Sequence, residues 1–205
     1  MQAKLKSALF LIAACAVSAG AIAHVGHDLE VTDHSHANTF FSGFLHPLTG
    51  LDHLAAMVAV GLWSALAARR VWPDLLWAPL GFAAMLLAGA FLGLQGVQLP
   101  AVEPMIAASL LVIGLLVLTR WRVPGFAAAA LVGVFAVFHG LAHGYELAGD
   151  ANALPVVAGM LAATLLLHAA GVAAGWALRQ TNVWVPRLAG AGVAVFGLAL
   201  LGRLA

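Results

Sequence analysis

Six apolar runs, each near the length of one membrane crossing, fill most of this chain: 44–68, 75–95, 102–119, 124–146, 154–178 and 186–203. A helix of about 20 apolar residues crosses the ~30 Å hydrocarbon core of a bilayer. Lipid offers no partner for backbone N–H and C=O groups, so a spanning chain must be a helix or a closed barrel. None of the runs shows the polar–apolar alternation of a barrel strand. Composition agrees, with 63% of the 205 residues hydrophobic and 8% charged, where a soluble domain carries about 25%. The expected fold is all-α: a polytopic membrane helix bundle of about six transmembrane helices over 44–205. Pro73, Pro100, Pro124, Pro155 and Pro186 fall at or near the ends of runs, where a missing N–H does least harm.

Residues 1–23 read as a cleaved signal peptide. Lys4 and Lys6 precede a short apolar core at 8–17, and Ala21-Ile22-Ala23 is a small-x-small cleavage site. That core is shorter than the ~20 residues of a span, which favours cleavage over an uncleaved first helix. Ile12-Ala13-Ala14-Cys15 resembles a lipoprotein box, so processing at Cys15 stands as the alternative. In both readings residues 24–43 form a histidine-bearing periplasmic arm. Cys15 is the single cysteine. An intramolecular disulfide and a Cys-Cys zinc pattern are therefore excluded, and a metal site here must use nitrogen and oxygen ligands.

The arginines set the orientation. Arg69 and Arg70 follow the first run, Arg120 and Arg122 the third, and Arg179 and Arg187 bracket the turn between the fifth and sixth. These connections alternate, so all fall on one side, which the positive-inside rule makes cytoplasmic. Arg203 is the exception. The expected location is the bacterial inner membrane with the mature N-terminus periplasmic. Glu103, Glu146 and Asp150 fall at the outer ends of runs three and four. The formal net charge is +1. Without a basic cluster there is no footing for nucleic acid, and the expected partners are the bilayer and a divalent metal ion.

Ionisable side chains are costly inside a membrane and must face protein, water or an ion. Three groups stand out. The first is His46-Pro47-Leu48-Thr49-Gly50-Leu51-Asp52-His53 at the mouth of the first run. A seven-residue spacing puts His46 and His53 on one face of a straight helix, with Asp52 about 100° away unless Pro47 and Gly50 break it. Asp52 can be a ligand or the acceptor that orients a histidine, or simply a cap. The second is His139-Gly140-Leu141-Ala142-His143-Gly144-Tyr145-Glu146, where His139, His143 and Glu146 share one helical stripe. Histidines one turn apart are a common metal arrangement, but the glutamate of the zinc-protease helix is missing between them. A polar stripe joining helices is the plainer alternative. The third is His24, His27, His34 and His36 with Asp28, Glu30 and Asp33, a metal-collecting arm or a polar linker.

Two solitary residues complete the set. His168 lies deep in the fifth run, as a packing residue or a ligand. Glu103 lies beside Pro104 at a helix start, where the dipole favours a carboxylate. Topology carries the first two groups to the same membrane face. Small residues also recur at four-residue spacing in Gly89/Gly93, Gly140/Gly144 and Gly171/Gly175. That pattern lets helices approach closely, although with 22 glycines some such pairs arise by composition.

The octet, continuing Leu54-Ala55-Ala56-Met57-Val58-Ala59-Val60-Gly61-Leu62-Trp63, resembles the opening motif of the HupE/UreJ family. The likeness extends over the leader, the arm, the arginine-terminated runs and the segment 139–146. It implies a bacterial membrane protein linked to hydrogenase and urease maturation, regarded as a nickel permease. It also implies a part in metal passage for His46, Asp52, His53, His139, His143 and Glu146. The octet looks like a looser form of the nickel/cobalt transporter signature too, with five residues rather than four between the first histidine and the Asp-His pair. On a regular helix that shift turns the first ligand by about 100°.

The function expected is a transition-metal permease carrying Ni²⁺, with Co²⁺ or another divalent ion as the alternative cargo. It would hold no permanent cofactor and be no enzyme. Maturation proteins of hydrogenase or urease are the expected further partners. A membrane metalloenzyme and a non-transporting metal-binding accessory protein are the rival readings. Nitrogen and oxygen ligands do not by themselves separate nickel from its neighbours.

Overall fold

The computed structural model describes residues 39–70 and 72–204. The expected signal peptide, Cys15 and the arm histidines His24, His27, His34 and His36 lie outside the described residues. Among the described residues seven helices follow one another: α1 (Phe40–Thr49), α2 (Leu51–Ala67), α3 (Asp74–Leu94), α4 (Val102–Thr119), α5 (Gly125–Glu146), α6 (Ala153–Leu178) and α7 (Trp184–Leu204). Five of them are long and apolar enough to cross a membrane, and α1 with α2 makes a sixth, broken span bent by 82°. The chain is a multi-pass membrane protein. Large apolar side chains such as Phe41, Phe91, Phe126, Leu166 and Val195 stand more than half exposed on its outside, as a lipid-facing surface requires and a soluble one seldom tolerates.

The first span is broken between Pro47 and Gly50, the interruption that these two residues allowed for in the sequence. Helix α1 begins at Phe40 rather than 44, on a capping box. Ser42 Oγ accepts from the Thr39 N–H at 2.9 Å, and Thr39 Oγ1 accepts from the Ser42 N–H at 3.4 Å. Pro47 lies inside α1 and has no N–H to continue the ladder. Gly50 then takes an extended conformation, φ −79° and ψ 115°. Its N–H closes α1 on the His46 carbonyl at 3.1 Å, and its own carbonyl opens α2 by accepting from Leu54 at 2.9 Å. Any residue can adopt these angles. The glycine matters for room: a Cβ there would lie 3.1 Å from Asp52 Oδ1 and 3.2 Å from His53 Nδ1.

Helix α2 is the centre of the bundle. Its Met57, Val60, Trp63 and Leu66 are buried against Phe82 of α3, Ile113 and Val117 of α4, Val132 of α5 and Leu167 of α6. The closest helix pairs are α3 with α5, α4 with α7, and α6 with both α1 and α2. Each is held at backbone distance by glycines that face main-chain atoms of the partner helix. A Cβ at Gly89 would lie 2.2 Å from the Val137 carbonyl oxygen, one at Gly140 2.1 Å from that of Leu86, and one at Gly144 2.1 Å from that of Ala90. Gly61 and Gly171 hold α2 to α6, and Gly43 and Gly159 hold α1 to α6, in the same way. In lipid no hydrophobic force drives helices together, so such close van der Waals approach supplies much of the association. The Gly89/Gly93, Gly140/Gly144 and Gly171/Gly175 pairs all sit in these seams.

The end of the bundle where α2 closes and α7 begins carries the arginines other than Arg203. Asp74 Oδ2 accepts from the Arg69 and Arg70 N–H groups at 3.2 and 3.0 Å, the Arg179 guanidinium donates to the Ala68 carbonyl, and Trp63 Nε1 donates to the Trp121 carbonyl at 2.9 Å. A cavity of about 340 Å³ enters from this end and reaches Trp63 and Ser64, passing Arg69, Asp74 and Arg122.

Gly140→Ala should destabilise the bundle by about 1–3 kcal/mol, because the added methyl overpacks a backbone contact that cannot move aside. Gly192→Ala, where no atom lies within 4 Å, should cost nothing. Unfolding in detergent micelles, followed by circular dichroism, compares the two.

Candidate metal centre

The fold over of α1 decides the geometry of the site. On a straight helix His46 and His53 would be about 10.5 Å apart along the axis. With the chain broken at Gly50 their ring centroids are 5.3 Å apart. Helix α5 brings His143 against both, at 4.6 Å from His46 and 4.9 Å from His53. One nitrogen from each of His46, His53 and His143 lies within 4.8 Å of the others. His46 is exposed on the outer side of this cluster, and His53 and His143 are buried.

Hydrogen bonds decide which ring nitrogens are available. His53 Nδ1 lies 2.9 Å from Asp52 Oδ1, which also accepts the His53 backbone N–H at 2.9 Å. His143 Nδ1 lies 3.4 Å from Glu146 Oε2. An ionised carboxylate can only accept, so each Nδ1 carries the proton and each Nε2 presents a lone pair. Those two Nε2 atoms are 2.8 Å apart. Two lone pairs at that distance repel unless a cation, either a proton or a metal ion, sits with them. Imidazoles backed by carboxylates in this way are the usual form of histidine metal ligands. Nitrogen ligands of this kind suit nickel, zinc, copper or iron.

Two further imidazoles lie deeper. His139, one turn below His143 on α5, has its ring centroid 5.4 Å from that of His53. Its Nε2 is 3.1 Å from Ser109 Oγ of α4, and the serine hydroxyl donates to the Ile106 carbonyl at 2.6 Å. With its one proton committed, Ser109 must accept from His139 Nε2–H. His139 Nδ1 is left buried without a partner. His168 Nδ1 donates to the Met57 carbonyl at 2.8 Å, and its Nε2 is likewise buried and unpartnered. Both rings pack on Phe82, at 5.7 and 5.2 Å between centroids.

Of the residues singled out from sequence, His46, His53 and His143 form the cluster. Asp52 and Glu146 stand behind it as acceptors, and His139 lies just beneath. Glu103 is exposed in the first turn of α4 and not part of the cluster. Sequence reasoning passed over Ser109 and the Met57 carbonyl. Ser109 left a signal, as the one hydroxyl in the middle of an otherwise apolar run. The Met57 carbonyl left none, because a main-chain acceptor has no residue type.

Fold and site together define a polytopic membrane helix bundle with an interior cluster of imidazoles able to hold a metal ion. The chain belongs to the HupE / UreJ protein family, whose family model matches residues 12–200. It is similar to Protein HupE of Rhizobium leguminosarum bv. viciae, 42% identical over 192 residues that cover 93% of this chain and 94% of that one. No solved structure matches it.

Ser109→Ala should leave the His139 Nε2–H buried without an acceptor. The cost expected is about 1–3 kcal/mol in unfolding free energy. A double variant, Ser109→Ala with His139→Phe, should recover much of that loss in the same unfolding measurement.

Proposed function

We propose that the protein is a permease for a divalent transition-metal ion in the bacterial inner membrane, with Ni²⁺ as its cargo, supplying the maturation of hydrogenase or urease. The observation that carries this reading is the run of imidazoles from the exposed His46, through His53 and His143, to the buried His139 and His168. An enzyme needs one closed shell with an open position. Ligands strung inward from one face suit an ion that moves. Nickel is proposed because it is the cargo that the resemblance to the HupE/UreJ family implies, since the donor set fits several neighbouring metals.

In this reading the periplasmic arm, with His24, His27, His34 and His36, gathers the ion at the outer face. His46 receives it, and His53 and His143 take it in exchange for water. Asp52 and Glu146 orient the two rings and add the negative charge that offsets the ion's own in a medium of low dielectric. Binding has to be favourable enough for entry and weak enough for release. The ion is the substrate, and no resident cofactor or bond-making step is required. No Gly-rich phosphate loop with lysine is present in the sequence, so ATP is not used by that route.

Purified protein in liposomes tests this directly. Ni²⁺ should enter faster than into empty vesicles, and His53→Ala or His143→Ala should return the rate to background. Asp52→Asn should weaken Ni²⁺ binding about 10- to 100-fold, the usual loss when a ligand histidine is deprived of its carboxylate. Tight metal binding without entry would instead favour the accessory-protein reading.

A further inference from the structure

His168 lies outside the cluster that receives the ion, and three observations bear on it. Its Nδ1–H is tied to the Met57 carbonyl at 2.8 Å. That bond fixes the neutral tautomer with a lone pair on Nε2. The lone pair is buried and meets no donor, although the residue is only 1% exposed. Leaving a buried polar atom unmatched is costly, and such an atom in a folded protein calls for an explanation. Position supplies the third observation. Met57 lies one helical turn inward of His53 on α2, a rise of about 6 Å. From Met57 to Ser64 is a further rise of about 10.5 Å, and there the cavity from the arginine end begins. His168 therefore stands between the outer cluster and the inner cavity.

We propose that His168 is an inner metal-binding stop, taking a divalent transition-metal ion through Nε2 after His139 and passing it toward the cavity at Trp63 and Ser64. The proposal rests on the permease reading. Both deeper imidazoles are held by uncharged acceptors, the Ser109 hydroxyl and the Met57 carbonyl, where the outer pair is held by Asp52 and Glu146. A carboxylate behind a ring raises its basicity and strengthens the metal bond. The inner stop is thus the weaker of the two. The step from the tighter outer cluster to the looser inner stop is uphill and is driven by a second ion arriving at the mouth or by a Ni²⁺ gradient, and the looser stop then releases the ion readily toward the cavity.

The alternative is that His168 only joins α6 to α2. His168→Asn separates the two roles, because the asparagine amide nitrogen falls where Nδ1 was and keeps a donor for Met57 while Nε2 is removed. His168→Gln offers a donor on a longer arm and serves as the second variant. Full-length protein is titrated with Ni²⁺ by calorimetry, both unmodified and with His53→Ala and His143→Ala together. The doubly substituted protein should keep weak Ni²⁺ binding at the arm, His46, His139 and His168, and adding His168→Asn should remove one equivalent of it while the rest remains. In liposomes His168→Asn should lower Ni²⁺ entry about tenfold or more, with unfolding and outer-site affinity unchanged. The inner stop is overturned if both His168 variants keep wild-type entry, or if neither removes an equivalent of bound Ni²⁺. Failure of the permease reading looks different: the unmodified protein then carries no Ni²⁺, while the equivalent bound at His168 can still be read by calorimetry.

Discussion

Inside a lipid-embedded bundle every imidazole proton needs an acceptor, and that requirement organises the centre of this protein. Asp52, Glu146, Ser109 and the Met57 carbonyl each take one ring N–H. In the neutral ring, a proton tied down on one nitrogen leaves the other with a lone pair. The His53 and His143 Nε2 atoms are thereby turned to each other, and His139 Nδ1 and His168 Nε2 are left unpartnered inside an apolar bundle. The acceptors do not touch an ion themselves, yet they determine which atoms can.

Those acceptors reach the rings only because the helices approach to backbone contact. Gly140 and Gly144 alternate with His139 and His143 along α5, so the face that seats on α3 is cut down to main chain. The two histidines project from the neighbouring face toward α2 and α4. Gly61 faces the His168 carbonyl, which draws α6 close enough to α2 for His168 to bond Met57. The tight seams and the site are therefore one construction. Bulk added to a seam would displace ligands as well as cost stability.

The all-helical, multi-pass architecture was legible in the chain because six apolar runs of span length have no other stable form in lipid. The meeting of the octet with the 139–146 segment was legible as well, through the alternation of arginine-bearing connections. The break at Gly50 was suggested by Pro47 but its size was not. Proline removes one hydrogen bond, and a kink of 82° depends on how α1 is seated along Gly159 and Val156 of α6. Glu103 read as a candidate on residue type alone, and the fold leaves it exposed in the first turn of α4.

By itself the sequence determined which residues could bear charge or a lone pair, that the chain crosses a membrane several times, and that the two ligand groups lie toward one end of the bundle. These follow from residue type and from hydrophobic length, which are local properties. Only the tertiary structure decided that three particular imidazoles converge within reach of one ion, that Asp52 and Glu146 stand behind rings, and that His168 points a free nitrogen into the interior. Those facts depend on helix break angles, on close approach between glycines and carbonyls distant in sequence, and on main-chain acceptors that no side-chain pattern can reveal.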